Sequence, residues 1–110
     1  MNVLNMANEL GWEKLSMPDP EAEISGGYVG DLLSWVMGRA ECGQLWVTIM
    51  TNINILAVAS LAGVSAIVIA EGAEVSKDVI DKANEQGINL LRSQSSAFDI
   101  VCSVGQNLIV

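Results

Sequence analysis

Apolar residues recur along the chain in two spacings, which predict an alternation of helices and strands. Near the start they return at three- and four-residue steps, at Val3, Met6, Ala7 and Leu10. Gly11 follows where a helix commonly ends in a left-handed conformation, so a short helix is predicted from Asn2 to Gly11.

A glycine-rich segment, Ser25–Asp31, separates this first part from the rest of the chain. Before it, a strand is predicted at Trp12–Met17 and a second extended piece at Glu21–Ile24, with a Pro-Asp-Pro sequence between them that suits neither helix nor sheet. Because glycine adopts conformations that other residues avoid, we expect the segment to form a tight turn with bare backbone. Asp31 ends this turn and is expected to cap the helix that begins at Leu32.

Helices and strands alternate regularly after Asp31. Strands are predicted at Leu45–Met50, Ser65–Ala70 and Ile88–Leu91. Helices are predicted to begin at Leu32, at Thr51 or Asn52, at Ser76, and at Ser95 or Ser96, the first three ending near Gly43, Gly63 and Gly87, and the last continuing beyond Gly105. In the helix that ends at Gly63, the side chains expected to face the sheet are Ile53, Leu56, Ala57, Ser60 and Leu61.

This alternation predicts an α/β fold, with a mostly parallel β-sheet in a single layer flanked by helices. The segment Ser65–Ala70 is apolar on both faces, which is typical of a central parallel strand covered on both sides. Short connections leave no room for a second domain, so residues 1–110 are expected to form a single domain.

The composition fits a compact acidic protein and disfavours several partners. Half of the 110 residues are apolar, and the formal net charge is −8. The five basic residues are scattered, whereas a nucleic-acid or anionic-membrane surface requires clustered basic side chains, so we expect neither partner. The longest apolar run, Ile55–Ala70, is shorter than a membrane span and is interrupted by Gly63.

Metal and cofactor chemistry has little support in the residues present. The chain has no histidine, and its two cysteines, Cys42 and Cys102, show no CxxC spacing. We therefore expect no metal site, no cofactor and reduced thiols. With no signal peptide recognised at the start, the expected location is the cytoplasm.

Two segments resemble the small DRTGG-domain proteins of bacteria. The first is Gly26–Ala40 (GGYVGDLLSWVMGRA), and the second is Trp46–Asn54 (WVTIMTNIN), followed by the Ile69–Gly72 turn. The resemblance covers most of the chain from about Ile24 onward. It implies an α/β fold similar to the N-terminal domain of HPr kinase and to the DRTGG region of phosphotransacetylases, arranged as a three-layer sandwich.

In that family such domains accompany CBS pairs and act as regulatory or oligomer-forming modules, and no catalytic residues are attributed to them. The resemblance therefore implies a regulatory role. The literal Asp-Arg-Thr-Gly-Gly string is not present here, where only the glycine pair and its setting remain. Members of the family often carry His where this chain has Asn52, which puts any role of that imidazole in doubt.

Polar residues and glycines are predicted to converge at the carboxyl edge of the sheet, where α/β proteins commonly bind ligands. The candidate ligand-binding residues are Gly26, Gly27, Gly30, Asp31, Thr51, Asn52, Asn54, Glu71 and Gly72. Helix N-termini at this edge favour an anion such as a phosphate-bearing nucleotide or metabolite.

Each of these residues also has a purely structural interpretation. The glycines match neither the G-x-G-x-x-G fingerprint nor a Walker loop, and a tight turn alone explains them. Asp31 is favoured as a helix cap, and Thr51, Asn52 and Asn54 are equally well explained as caps. Glu71 at the end of a buried strand is most simply a solvated carboxylate. Three nearby residues are interpreted as loop and cap: Ser93, Ser95 and Ser96.

Two tryptophans are hard to accommodate in a small core and suggest a contact surface. Trp35 lies off the inward side of its helix, with Arg39 one turn further on, and Trp46 lies in a predicted strand. These three are the candidate interface residues of a homodimer, and core packing is the alternative for the tryptophans.

The preferred hypothesis is a non-catalytic regulatory or ligand-sensing domain. It binds a small anionic metabolite or nucleotide and acts through a homodimer or a partner protein. The alternative is a purely structural dimerisation module with no ligand. An enzyme using Asp31 or Glu71 as an acid or base is the weakest hypothesis, because no histidine or activated nucleophile accompanies them.

Overall fold

The computed structural model describes residues 1–108, which form a five-stranded sheet with helices on both faces. The helices are α1 (Val3–Leu10), α2 (Leu33–Arg39), α3 (Asn54–Ala62), α4 (Lys77–Glu85) and α5 (Ala97–Leu108). The strands are β1 (Glu13–Ser16), β2 (Gly26–Val29), β3 (Gln44–Thr48), β4 (Ala66–Ile69) and β5 (Leu90–Arg92). The last helix was predicted to continue beyond Gly105, and α5 confirms this as far as Leu108.

The sheet confirms the predicted α/β class. Its strand order is β1-β5-β4-β3-β2, with β2 to β5 parallel and β1 antiparallel to β5. From β2 to β5 the chain always steps in the same direction, and right-handed crossovers therefore put α2, α3 and α4 on one face. Helices α1 and α5 cover the other face.

Two apolar cores lie on opposite faces of the sheet. One packs α1 and α5 against β3, β4 and β5, with Val3, Met6 and Ile100 essentially buried. The other packs α2, α3 and α4 against the same strands, with Trp46 and Ile67 fully buried. Every residue of β4 is buried, as expected for a central strand covered on both faces.

Helix boundaries follow the predicted signals in several places. Gly11 and Gly63 end α1 and α3 in left-handed conformations, with φ of 69° and 74°. The Ser76 side chain caps α4 by accepting from the Val79 N–H. The Ser96 hydroxyl accepts from the Asp99 N–H at the start of α5.

The prediction of a glycine turn over Ser25–Asp31 was wrong in its extent. Gly26–Val29 forms the edge strand β2 and pairs in parallel with residues 44–47 of β3. Only residues 30–32 turn from this strand into α2. The predicted extended piece at Glu21–Ile24 makes a single bridge between Glu23 and Asn2. Glycine composition alone does not separate a turn from an edge strand, whose hydrogen bonds come from a partner distant in sequence.

The inward face predicted for α3 was also wrong, except at Leu56. Leu61 is 73% exposed and Ile53 is 49% exposed, whereas Ile55 and Val58 are buried with Leu56. Apolar residues surround this helix almost completely, so its sequence gives little contrast between the two faces.

Candidate functional site

The carboxyl ends of β2, β3, β4 and β5 lie along one edge of the sheet, which we call the rim. The rim consists of the four loops at residues 30–32, 49–53, 70–76 and 93–96. Of the predicted ligand-binding residues, the rim contains six: Gly30, Asp31, Thr51, Asn52, Glu71 and Gly72. Asn54 lies beside it as the first residue of α3.

The other two predicted residues, Gly26 and Gly27, do not lie at the rim. Gly26 pairs with Gln44 at the beginning of β3, and Gly27 pairs with Leu45. At a rise of about 3.3 Å per residue, Gly26 stands roughly 10 Å from the carboxyl end of its strand. Neither Gly26 nor Gly27 is therefore part of a ligand-binding site at the rim.

Asp31 links two neighbouring loops of the rim and does not cap α2. Its Oδ1 accepts from the Thr48 hydroxyl at 2.7 Å and from the Ile49 N–H at 3.0 Å. The N-cap of α2 is Leu32, and no side chain bonds to that helix end. The sequence interpretation missed Thr48, because its partner is revealed only when β2 and β3 are paired.

The Asn52 side chain closes a local turn at the beginning of α3. Its Oδ1 accepts from the Asn54 N–H at 2.9 Å, while the N-cap position itself is Ile53. Asn52 and Asn54 are exposed, and Thr51 is half-buried. The N-cap predicted at Thr51 or Asn52 was therefore wrong, because Ile53 holds that position, although Asn52 binds the N–H of the first helical residue. Both asparagines lie at the surface.

Glu71 and Gly72 form a left-handed turn after β4. Both have φ of 63°, and Glu71 is the non-glycine residue with positive φ within residues 1–108. The Glu71 N–H donates to Ser95 O at 2.9 Å and the Gly72 N–H to Ser93 O at 2.8 Å. A Cβ at Gly72 would collide with the side-chain amide of Gln94. Sequence reasoning missed Gln94, which lies over this backbone.

The neighbouring loops of the rim are joined by hydrogen bonds, and the strand order provides no crevice between them. Open α/β sheets form a crevice where the strand order reverses, and the order from β2 to β5 never reverses. A cavity of about 260 Å³ lies at the opposite edge of the sheet, where Asp19, Glu23 and Asn89 are among the lining residues. The chain's first 108 residues bring together no group of three or more His, Cys, Asp or Glu side chains able to hold a metal ion.

Trp35 and Trp46 occupy opposite environments. Trp35 is 52% exposed on α2, and the Arg39 guanidinium lies 3.8 Å from the centroid of its ring, a cation–π arrangement. Trp46 is fully buried, and its indole N–H donates to Gly30 O at 2.9 Å. The interface role expected for Trp46 was therefore wrong, because this side chain has no surface to offer and instead supports the turn into α2.

A groove between β2 and α5 is the second cavity of the molecule described here. It has a volume of about 160 Å³, and apolar side chains and glycines form most of its lining. We call it the α5 groove. Its walls are Gly27, Tyr28, Val29, Leu45, Val47, Val101, Val104, Gly105 and Leu108.

Cys42 and Cys102 are both exposed and free. Within residues 1–108, no helix is long and apolar enough to cross a membrane.

Comparison with known proteins identifies the fold. No family model and no curated protein matches the chain. A structural match is the crystal structure of the CBS and DRTGG domains of the regulatory region of Clostridium perfringens pyrophosphatase, complexed with its activator diadenosine tetraphosphate. The TM-score is 0.77 at 16% sequence identity over 96% of this chain. The chain spans 46% of the length of that structure. The match supports the predicted DRTGG-like fold, and the resemblance to HPr kinase and phosphotransacetylases stays a prediction.

Proposed function

We propose that the protein is a non-catalytic regulatory domain that binds a nucleotide or another small anionic metabolite at the rim. The observation that carries the proposal is the shared fold with a regulatory region whose structure holds a nucleotide activator. In this proposal the domain has no reaction of its own, and its output is a change in contact with a second copy or a partner protein.

The chemistry of the rim suits parts of a nucleotide. Helices α3, α4 and α5 all begin there, and helix N-termini present backbone N–H groups and a positive dipole end to a phosphate. Asn52 and Asn54 add exposed side-chain amides beside α3. The exposed Glu71 carboxylate is suited to accept from ribose hydroxyls, and it would repel a phosphate placed directly against it.

Asp31 supplies a physical route from the rim to the exposed face of α2. Its carboxylate accepts from the N–H of Ile49, the first residue of the loop that contains Asn52. Asp31 also directly precedes Leu32, the N-cap of the helix that presents Trp35. A ligand that prefers one position of the 49–53 loop would therefore bias the position of α2. Ligand binding would then select among arrangements of the Trp35 surface.

Ligand-dependent stabilisation tests the proposal. At a hundredfold excess over Kd, a ligand specific for the folded state adds about 2.7 kcal/mol to the free energy of unfolding. We expect diadenosine tetraphosphate, ATP or AMP at millimolar concentration to raise the melting temperature by several degrees in a thermal-shift assay, and inorganic phosphate to have a smaller effect. Asn52→Ala is expected to weaken the response, measured by calorimetric titration.

Gln86→Ala, which removes an exposed amide at the C-terminal end of α4, at the edge of the sheet opposite the rim, is the matched control and is expected to bind normally. Absence of stabilisation by any of these nucleotides would contradict the proposal. An undiminished response in Asn52→Ala would place the ligand away from the rim.

An assembly module without a ligand is the second candidate function. It is favoured by the apolar exposure around α2, where Leu32 is 58% exposed and Trp35 is 52% exposed. If this candidate is correct, Trp35→Ala abolishes association in sedimentation experiments while Asn52→Ala has no functional consequence.

A further inference from the structure

The two edges of the sheet differ in how they are protected against pairing with another strand. At one edge, β1 exposes the charged residues Glu13 and Lys14 and has a register shift between Lys14 and Ser16. Charges and bulges of this kind are the usual means by which proteins block edge-to-edge pairing. At the other edge, β2 has the sequence Gly-Gly-Tyr-Val, with no charge, proline or recorded register shift.

Among residues 1–108, no strand pairs with the outer side of β2, so its backbone groups are available for another strand. The Gly30 N–H donates to Val47 O, so it points toward β3. Because successive N–H groups of a strand point to opposite sides, the Val29 N–H points toward the open edge. Val29 itself is 49% exposed, which puts an apolar side chain beside this unpaired backbone.

The α5 groove runs alongside the same edge. It has exposed apolar side chains on its walls and an apolar cavity between them. Val101 on α5 is 44% exposed and forms one wall, with Val29 on the other. Gly105 widens the groove, because a Cβ there would meet no atom within 4 Å. A surface that holds both projections and a cavity can be complementary to itself, as a twofold interface requires.

Charge favours a second copy at this position. The chain has a net charge of −8, so two copies repel one another over most of their surfaces. The strip formed by β2 and residues 100–108 of α5 contains no charged residue. Two copies that meet along this strip therefore bring no carboxylate of either strip into the contact.

We propose that two copies of the chain associate through antiparallel pairing of β2 with β2, with the two α5 grooves packed against each other. Antiparallel pairing of identical strands has a local twofold axis, which closes the assembly as a dimer with a continuous ten-stranded sheet. The proposal deepens the proposed function, on which it rests for the dimer's regulatory role, by naming the surface for the second copy. Formation of the dimer itself does not depend on a ligand.

Sedimentation velocity of the full chain and two matched variants tests the interface. We expect wild type to sediment at twice the monomer mass of 11.7 kDa at high micromolar concentration. Val101→Glu puts a carboxylate in the groove and is expected to weaken association about tenfold or more. Leu61→Glu changes a residue that is 73% exposed on α3, away from the strip, and is expected to leave the dimer intact.

Cysteine crosslinking tests the strand pairing independently of any effect on folding. In a background with Cys42 and Cys102 changed to serine, cysteines are placed one at a time as Gly27→Cys, Tyr28→Cys and Val29→Cys, with Leu61→Cys as the control. We expect at least one β2 position to form a covalent dimer on mild oxidation and the control to form none.

A wild-type chain that stays monomeric would overturn the proposal, as would a dimer broken by Trp35→Ala and unaffected by Val101→Glu. Crosslinking at Leu61 with none at β2 would also overturn it. An intact β2 dimer that responds to no nucleotide would contradict only the proposed function.

Discussion

At the scale of single residues, Glu71 occupies a backbone conformation that favours glycine. Glu71 follows the buried strand β4 and has a φ of 63°. Its N–H donates to Ser95 O. A left-handed conformation costs a residue with a side chain about 1–2 kcal/mol. The neighbouring contacts to the 93–96 loop maintain this strained geometry at the rim, where such strain is often associated with function.

Glu71→Gly is therefore expected to stabilise the protein. The gain from relieved strain is partly offset by the greater entropy of glycine in the unfolded chain, which leaves a net increase of about 0.5 kcal/mol in the free energy of unfolding. Glu74→Gly, an exposed position in the same loop without positive φ, is expected to destabilise by about 0.5–1 kcal/mol. Urea denaturation measures both, and equal destabilisation by the two variants would contradict the strain argument.

Individual residues were predicted well from sequence where their partners are close in the chain. Ser76 and Ser96 cap helices through N–H groups three residues away, and local sequence is enough to predict such bonds. Asp31 was assigned the same role wrongly because its real partners, Thr48 and Ile49, belong to the adjacent strand. Strand pairing decides whether Asp31 accepts from a local or a distant donor, and the sequence does not display that pairing.

At the scale of elements, strongly patterned segments were predictable and short or uniform ones were not. The fully apolar β4 and the amphipathic α1 and α4 carry clear signals of burial. The four-residue β2 is too short for a period to be recognised, and its glycines suggested a turn. The helix α3 is apolar around nearly all its surface, so its buried face is decided by the packing of α2 beside it.

Two helix-terminating glycines provide a matched test of packing at an element boundary. Gly63 and Gly87 both have φ of 74°, but a Cβ at Gly63 would lie 3.3 Å from the Cys42 Sγ, whereas one at Gly87 meets nothing within 4 Å. Alanine at either position is expected to cost about 1 kcal/mol for the left-handed backbone. Gly63→Ala is expected to cost up to about 1 kcal/mol more because of crowding against Cys42.

Thermal or urea denaturation of the two single variants measures this difference. The extra cost is expected to disappear when Gly63→Ala is combined with Cys42→Ala. A difference that persists in the double variant would assign the cost to some other contact.

At the scale of the whole molecule, the fold is better determined than the ligand. The sheet order, the two covered faces and the TM-score of 0.77 with a regulatory region agree on the architecture. The predicted binding residues divide between the rim and the opposite end of β2, because the sequence interpretation placed Gly26, Gly27 and Gly30 in one turn. The fold class can be predicted from the alternation of helix and strand patterns along the sequence. The position of a binding site depends in addition on which strand ends lie side by side in the sheet.

The charge of −8 predicts a salt dependence for the entire molecule. The Lys77–Asp81 and Lys82–Glu85 ion pairs are largely exposed and contribute little, whereas Glu13–Arg92 has an arginine side chain that is only 20% exposed. Because the chain has 13 acidic residues and five basic ones, long-range repulsion among carboxylates is the larger electrostatic effect. Raising the ionic strength from about 10 mM to about 150 mM shortens the Debye length from roughly 30 Å to roughly 8 Å. We expect the melting temperature to rise by a few degrees in sodium chloride. A fall would mean that attractive pairs outweigh repulsion.

The antiparallel strand β1 has a consequence for the order in which the chain assembles during synthesis. Glu13 pairs with Arg92, so β1 has no strand to pair with until 79 further residues have been translated. The parallel strands β2, β3 and β4 have no such delay, because each neighbour follows within about one helix. The sheet of the nascent chain is therefore expected to form first at the edge strand β2 and then to add β3, β4 and β5 in turn. The strand β1 is expected to join last.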